Sequence, residues 1–268
     1  MLLSPTKAGN SDEWKPIDRT RPGFRRRYGV ALHIHACATG SGTVILDVRR
    51  DKYLGLGREE SELLADAVTG WPIPPWLRNG RQEGPASPGD AKELCESLVG
   101  AGVLERISET QATRVVAPPR DMRGEWISVG DELEVRGEVT ARHLSNFLAS
   151  YGWARYSLAW RPFFNVVNEV KAGKRRGARG VEACDIRRLA AMVDVFRRLR
   201  PFVFAAEGRC LLHALTLMSF LSKYQLHPEW VIGVTTQPWG AHSWVQWRNF
   251  LLDSNPEKVC GYTPILVV

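Results

Sequence analysis

Residues 210–221, reading CLLHALTLMSFL, constrain this chain more than any other stretch. At helical spacing they are apolar on almost every side, so the helix they predict has to lie inside a larger body. Leu211, Leu215, Met218 and Leu221 line one face, and Leu212, Thr216 and Ser219 another. Cys210 falls in the first turn, where unpaired backbone N–H groups and the positive end of the helix dipole favour a thiolate. That is the setting of a nucleophile; the alternative for a single cysteine is a small buried core thiol.

The downstream segment decides between the two. Residues 230–236 (WVIGVTT) are rich in β-formers, residues 237–240 (QPWG) form a break, and residues 241–253 (AHSWVQWRNFLLD) read as a β-hairpin. A two-residue turn at Arg248-Asn249, with Asn249 taking a positive φ, sets Trp244 opposite Asp253 and His242 opposite Asn255. His242 then shares a face with Asp253 on its diagonal, within reach of an imidazole–carboxylate hydrogen bond. Cys210, His242 and Asp253 thus fall in the order nucleophile, base and orienter. Two metal readings compete with this one. His33, His35 and Cys37 alternate along a predicted strand, and Cys210 and His213 stand i, i+3 on the helix. Neither set has an evident fourth ligand or a carboxylate, so no metal or other cofactor is expected.

The 268 residues suit two compact units. Residues 1–28 are polar and Pro/Arg-rich, and read as a flexible N-terminus without a secretory signal. From Val30 the pattern predicts two strands around the turn Thr39-Gly40-Ser41-Gly42, a third over residues 51–56, and helices over residues 58–68 and 91–104. This is an α+β, winged-helix-like unit over residues 29–116. The helix over 91–104 carries Lys92 as its only basic residue before Arg106, which equips it poorly for a DNA groove. Ala117-Pro118-Pro119-Arg120 marks a boundary, and residues 117–268 form the second unit. There helices are predicted over residues 142–151, 161–172 and 183–201, with a basic loop at 173–180.

No apolar run approaches the roughly 20 residues of a membrane span, so the expected address is cytoplasmic. Five cysteines at irregular spacing fit reduced thiols. The charge of +7 rests largely on three basic clusters, read as solvated faces rather than a nucleic-acid footprint.

Residues 208–254, with VFRRLRPFVF upstream, resemble the peptidase domain of lasso-peptide B proteins, a transglutaminase/papain-like cysteine peptidase family. The likeness lies in the Arg-Cys-Leu start, the Leu-rich helix, the strand containing Gly-Val, the motif Pro-aromatic-x-Ala-His-x-Trp-Val and the terminal Asp. It departs from the family at Asn249, where Gly is frequent, and at Gln246, where an acidic residue is common. Residues 52–56 (KYLGL) and 98–104 (LVGAGVL) resemble the family's leader-recognition domain, itself similar to the peptide chaperone of pyrroloquinoline quinone biosynthesis.

The resemblance implies removal of the leader from a ribosomally made precursor peptide, so that a partner ATP-dependent lasso cyclase can close the ring. Cys210, His242 and Asp253 would be its triad. A free edge at residues 52–56 suits capture of an extended peptide by Lys52, Tyr53, Leu54 and Leu56, with Leu54 and Leu56 turned toward a helix and Leu94 and Leu98 completing the pocket. Acyl transfer on the same fold, or peptide delivery without catalysis, are the competing readings.

Overall fold

The computed structural model describes residues 28–78, 88–107, 126–129, 135–177, 186–204 and 209–268. The boundary at 117–120, Cys184 and residues 1–27 of the N-terminal segment lie outside them. The first half contains strands β1 (Tyr28–Val30), β2 (Ile34–Ala38), β3 (Thr43–Asp47), β4 (Lys52–Leu56), β5 (Val68–Thr69) and β6 (Leu104–Arg106), with helices α1 (Arg58–Ala67), α2 (Pro75–Arg78) and α3 (Pro88–Gly100). The second half contains β7 (Ile127–Ser128), α4 (Ala141–Trp160), α5 (Phe163–Gly177), α6 (Ile186–Leu199), α7 (Cys210–Ser222), β8 (Glu229–Thr236), β9 (Trp239–Trp247), β10 (Phe250–Leu251), α8 (Pro256–Val259) and β11 (Thr263–Val267). The fold is mixed helix and sheet. Among the described residues no helix is long and apolar enough to cross a membrane.

Three local readings are corrected. Helix α5 continues through Gly173 and the first part of the stretch read as a basic loop. Helix α3 stops at Gly100, with Gly102 at φ 75°, so Leu104 starts a strand instead of ending a helix. His33 lies in the turn ahead of β2 with its Nε2 3.9 Å from Asp47 Oδ1, so it does not share a strand face with His35 and Cys37.

Sheet β2-β3-β4 is antiparallel with β4 at its edge, and its two faces serve different cores. Ala36 and Ile45 pack with Leu63, Leu64, Cys95 and Leu98 of α1 and α3. Cys37, Val44 and Leu46 point the other way and join Phe147, Phe196, Leu215 and Trp230 in the largest core among the described residues. The period-2 alternation of a strand thus splits one short sheet between the two halves. The first half is therefore not closed without the second: a fragment ending near Val116 would turn Cys37, Val44, Leu46 and Val48 out to water.

The second half places α7 against α4, α6 and the sheet β11-β8-β9-β10-β7. Leu212, Leu215, Leu217, Phe220 and Leu221 are buried, as an all-round apolar helix requires. The break at 237–240 is a tight turn of only Gln237 and Pro238 joined by a cis peptide bond, and Trp239 and Gly240 already belong to β9. On β8, Gly233 pairs with His242, and a Cβ there would come within 2.6 Å of the buried Trp244 ring and 2.9 Å of Tyr262. Gly233→Ala is expected to lower stability by about 1–3 kcal/mol through overpacking, read as a reduced midpoint in chemical denaturation.

Candidate active site

Cys210 is the first residue of α7, behind Arg209 in the N-cap position. It opens onto a cavity of about 590 Å³ whose lining includes His213, His242, Ser243, Asp253, Ser254 and Lys258. The three predicted site residues therefore meet at one cavity, brought from the start of α7, the middle of β9 and the segment after β10.

The cavity exists because β10 is so short. Phe250 pairs with Trp247 and Leu251 with Gln246, the register predicted for a two-residue turn. The positive φ, however, belongs to Arg248 (55°) and not to Asn249. One further backbone bond, from Leu252 N–H to Val245 O at 3.0 Å, ends the pairing. Asp253 then turns its side chain inward, and Oδ1 accepts the Val245 N–H at 2.8 Å. The strand partner is replaced by a carboxylate, which leaves the β9 edge at residues 241–243 open to Cys210.

The same turn changes the predicted contacts. Asp253 Oδ2 lies 3.3 Å from Nδ1 of His213, while Nε2 of His242 lies 3.2 Å from Ser254 Oγ. The diagonal His242–Asp253 hydrogen bond expected from continued pairing is replaced by these two contacts. The physical reason is the loss of ladder geometry after Leu252. Asp253 still faces His242 closely enough to favour its charged form.

The His242 ring stacks on Trp244 (centroids 5.9 Å apart, planes at 21°) and meets Tyr262 at 5.4 Å. Desolvation in this aromatic setting, opposed by Asp253 and assisted by Lys258, pulls its pKa below the ordinary 6.5. Because the unfolded imidazole binds its proton more tightly, acidification through the window below 6.5 favours the unfolded chain. This loss is absent above that value and complete below the folded midpoint. In Cys210→Ala protein, where no thiolate perturbs the ring, His242 should titrate below 6.5 by NMR. A midpoint at or above that value would refute the desolvation argument.

Burial pushes the Cys37 thiol up to about 12 and the Cys95 thiol up to about 11, so both are inert as nucleophiles at neutral pH. Cys260 is exposed but lies away from the cavity lining.

The predicted peptide-binding residues divide. Lys52 and Leu54 lie exposed on the edge strand β4; Leu54 pairs with Ile45 and so shares the face that meets the helices, but it stays exposed rather than packed into that core. Leu56 and Leu94 pack against the core of the first half, and Leu98 is buried within it. Tyr53 stands on the opposite face, edge-on to Trp239 with centroids 5.6 Å apart. Its burial, then the Asp51 carboxylate and the Cys210 and Cys37 thiols, push its phenol up to about 12. Ser41 adds a hydrogen bond to Thr236 across the same junction at 2.9 Å.

Sequence reasoning passes over His213 as a partner of Asp253, although it raises His213 as a metal ligand. It passes over Ser254 altogether, because the turn after Leu252 carries no periodic signal. Gln246, which stands where an acidic residue is common in the resembling family, is buried, accepts from Trp244 Nε1 (2.9 Å) and donates to Glu229 (3.1 Å).

Residues 150–267 match the family model of the transglutaminase-like superfamily. That superfamily includes cysteine peptidases and acyltransferases. Comparison with the curated proteins and with the solved structures gives no significant match.

Proposed function

We propose that this protein is a cysteine peptidase that removes the leader of a ribosomally made precursor peptide in lasso-peptide biosynthesis, with Cys210, His242 and Asp253 as its catalytic residues. The observation that carries this reading is the shared cavity: a cysteine at the start of a buried helix, a half-buried histidine on the open edge of a strand, and a buried carboxylate beside it. His242 takes the Cys210 proton, the thiolate attacks the scissile carbonyl, and the His242 imidazolium protonates the leaving amine. Water, activated by the now neutral imidazole, then hydrolyses the acyl-enzyme and restores the thiol. The backbone N–H of Cys210, at the N-terminus of α7, is the proposed first oxyanion donor.

Residues 29–116 are proposed as a winged-helix-like leader-recognition unit and residues 117–268 as the peptidase unit. The edge of β4 is the proposed docking line, since its backbone is unpaired by any other described strand and Leu54 is 45% exposed. A leader added there runs beside Tyr53 and Trp239 toward Cys210. The ATP-dependent cyclase is the proposed recipient of the freed core peptide.

The test uses the full chain, since the sheet that offers β4 is completed by the second half. A leader-bearing precursor should be cut far faster than a short peptide spanning the same bond, and Leu54→Asp should raise its Kd about tenfold, a change of about 1.4 kcal/mol. Equal cleavage of both substrates would remove leader recognition. A new amide in place of a free carboxyl terminus would transfer the site to acyltransferase chemistry.

A further inference from the structure

Among the described residues, the side chain of His213 has one hydrogen-bond partner, and that partner is Asp253. The Asp253 side chain is 3% exposed and that of His213 12%, so the carboxylate is held away from bulk water. A buried carboxylate needs donors around it. The described residues supply two: the Val245 N–H on Oδ1 and the His213 ring on Oδ2. The ring has little freedom to turn away, because it is wedged edge-on between Phe196 at 5.3 Å and Phe204 at 5.2 Å.

The tautomer is set by the contacts. Nδ1 faces a carboxylate and so carries the proton, while Nε2 is buried without a partner among the described residues. A bare ring nitrogen is tolerated there more readily than an unpaired N–H. His213 therefore presents a donor to Asp253 and no accessible base toward the cavity. His242, by contrast, reaches Ser254 Oγ and lines the cavity beside Cys210.

We infer that His213 is a positioning residue of the active site: by donating from Nδ1 to Asp253 Oδ2 it fixes the buried carboxylate that lines the cavity beside His242. The inference rests on the peptidase reading and adds to it a fourth residue that acts through Asp253. Its place on α7, one turn after Cys210, ties the nucleophile and the carboxylate to the same rigid helix.

The experiment measures the rate of Cys210 alkylation by iodoacetamide in the full chain, with each cysteine resolved by peptide mass mapping. His213→Phe, which fills the site without a donor, should slow Cys210 alkylation at neutral pH about tenfold, at the lower end of what lost outer partners cost. His213→Asn, whose side-chain amide can occupy the place of Nδ1–H, should recover most of the rate. Asp253→Asn should be slow, and adding His213→Phe to it should cost nothing further, as expected of residues acting through one contact. A role confined to packing would lower thermal stability and leave this coupling at zero.

The inference is overturned if His213→Phe reacts like wild type, or if its effect adds in full to that of Asp253→Asn. It is equally overturned if His213→Asn stays slow while His242→Ala reacts normally, which would make His213 the base. Wild-type Cys210 reacting no faster than the exposed Cys260 would instead remove the peptidase reading itself, and the inference with it.

Discussion

Cys210→Ala is expected to abolish precursor cleavage, by about 10³-fold or more, while the Kd for the same precursor stays within about twofold of wild type. The argument is spatial. The thiol stands at the start of α7, facing the cavity. The proposed docking edge is β4, on another sheet, and truncation of one small side chain at a helix start leaves that edge intact. No other described cysteine substitutes for it: Cys37 and Cys95 are fully buried and Cys260 does not line the cavity. Turnover by the alanine variant at the wild-type rate would remove the central assignment.

Asp253→Asn should retain the fold and lose about 10²–10⁴ in kcat, the range over which loss of an orienting carboxylate acts in a triad. One oxygen of the amide can still accept the Val245 N–H, so the turn after β10 is preserved. The other position becomes an NH₂ group opposite the His213 Nδ1–H, setting donor against donor. The charge that favours protonated His242 is lost as well, leaving desolvation and Lys258 to oppose the imidazolium. The measurement is kcat on a leader-bearing precursor, with a thermal melt to show that the fold is kept. A fully active variant would reduce the site to a Cys–His pair and make the carboxylate a turn-former only.

These outcomes would bear on parts of the molecule that the sequence revealed unequally. The helix carrying Cys210 was legible because an apolar pattern on all sides admits one environment, a buried helix, and the structure places that helix between α4, α6 and the central sheet. The hairpin turn at Arg248-Asn249 was legible from the flanking β-rich runs, and the predicted pairing of Trp247 with Phe250 is present. The strands β2, β3 and β4 were legible from the β-formers on either side of Thr39-Gly40-Ser41-Gly42. In each case the determinant is local: periodicity over a few residues, or the backbone demands of a short turn.

What neighbouring residues dictate ends at Leu252. Whether a strand continues past its second paired residue depends on competition for the Val245 N–H, which is won by a side chain, Asp253, rather than by backbone. That outcome redirected Asp253 to His213 and His242 to Ser254, and no spacing in the chain encodes it. The two-sided use of sheet β2-β3-β4 is of the same kind. Cys37, Val44 and Leu46 share one face of that sheet, and only packing against Phe147, Phe196 and Trp230, far along the chain, decided that this face belongs to the core of the second half. Sequence determined which elements bear the proposed catalytic residues, because those elements are properties of short segments. Tertiary structure decided which partner each polar group takes, because a buried donor or acceptor binds whatever long-range packing brings within about 3 Å of it.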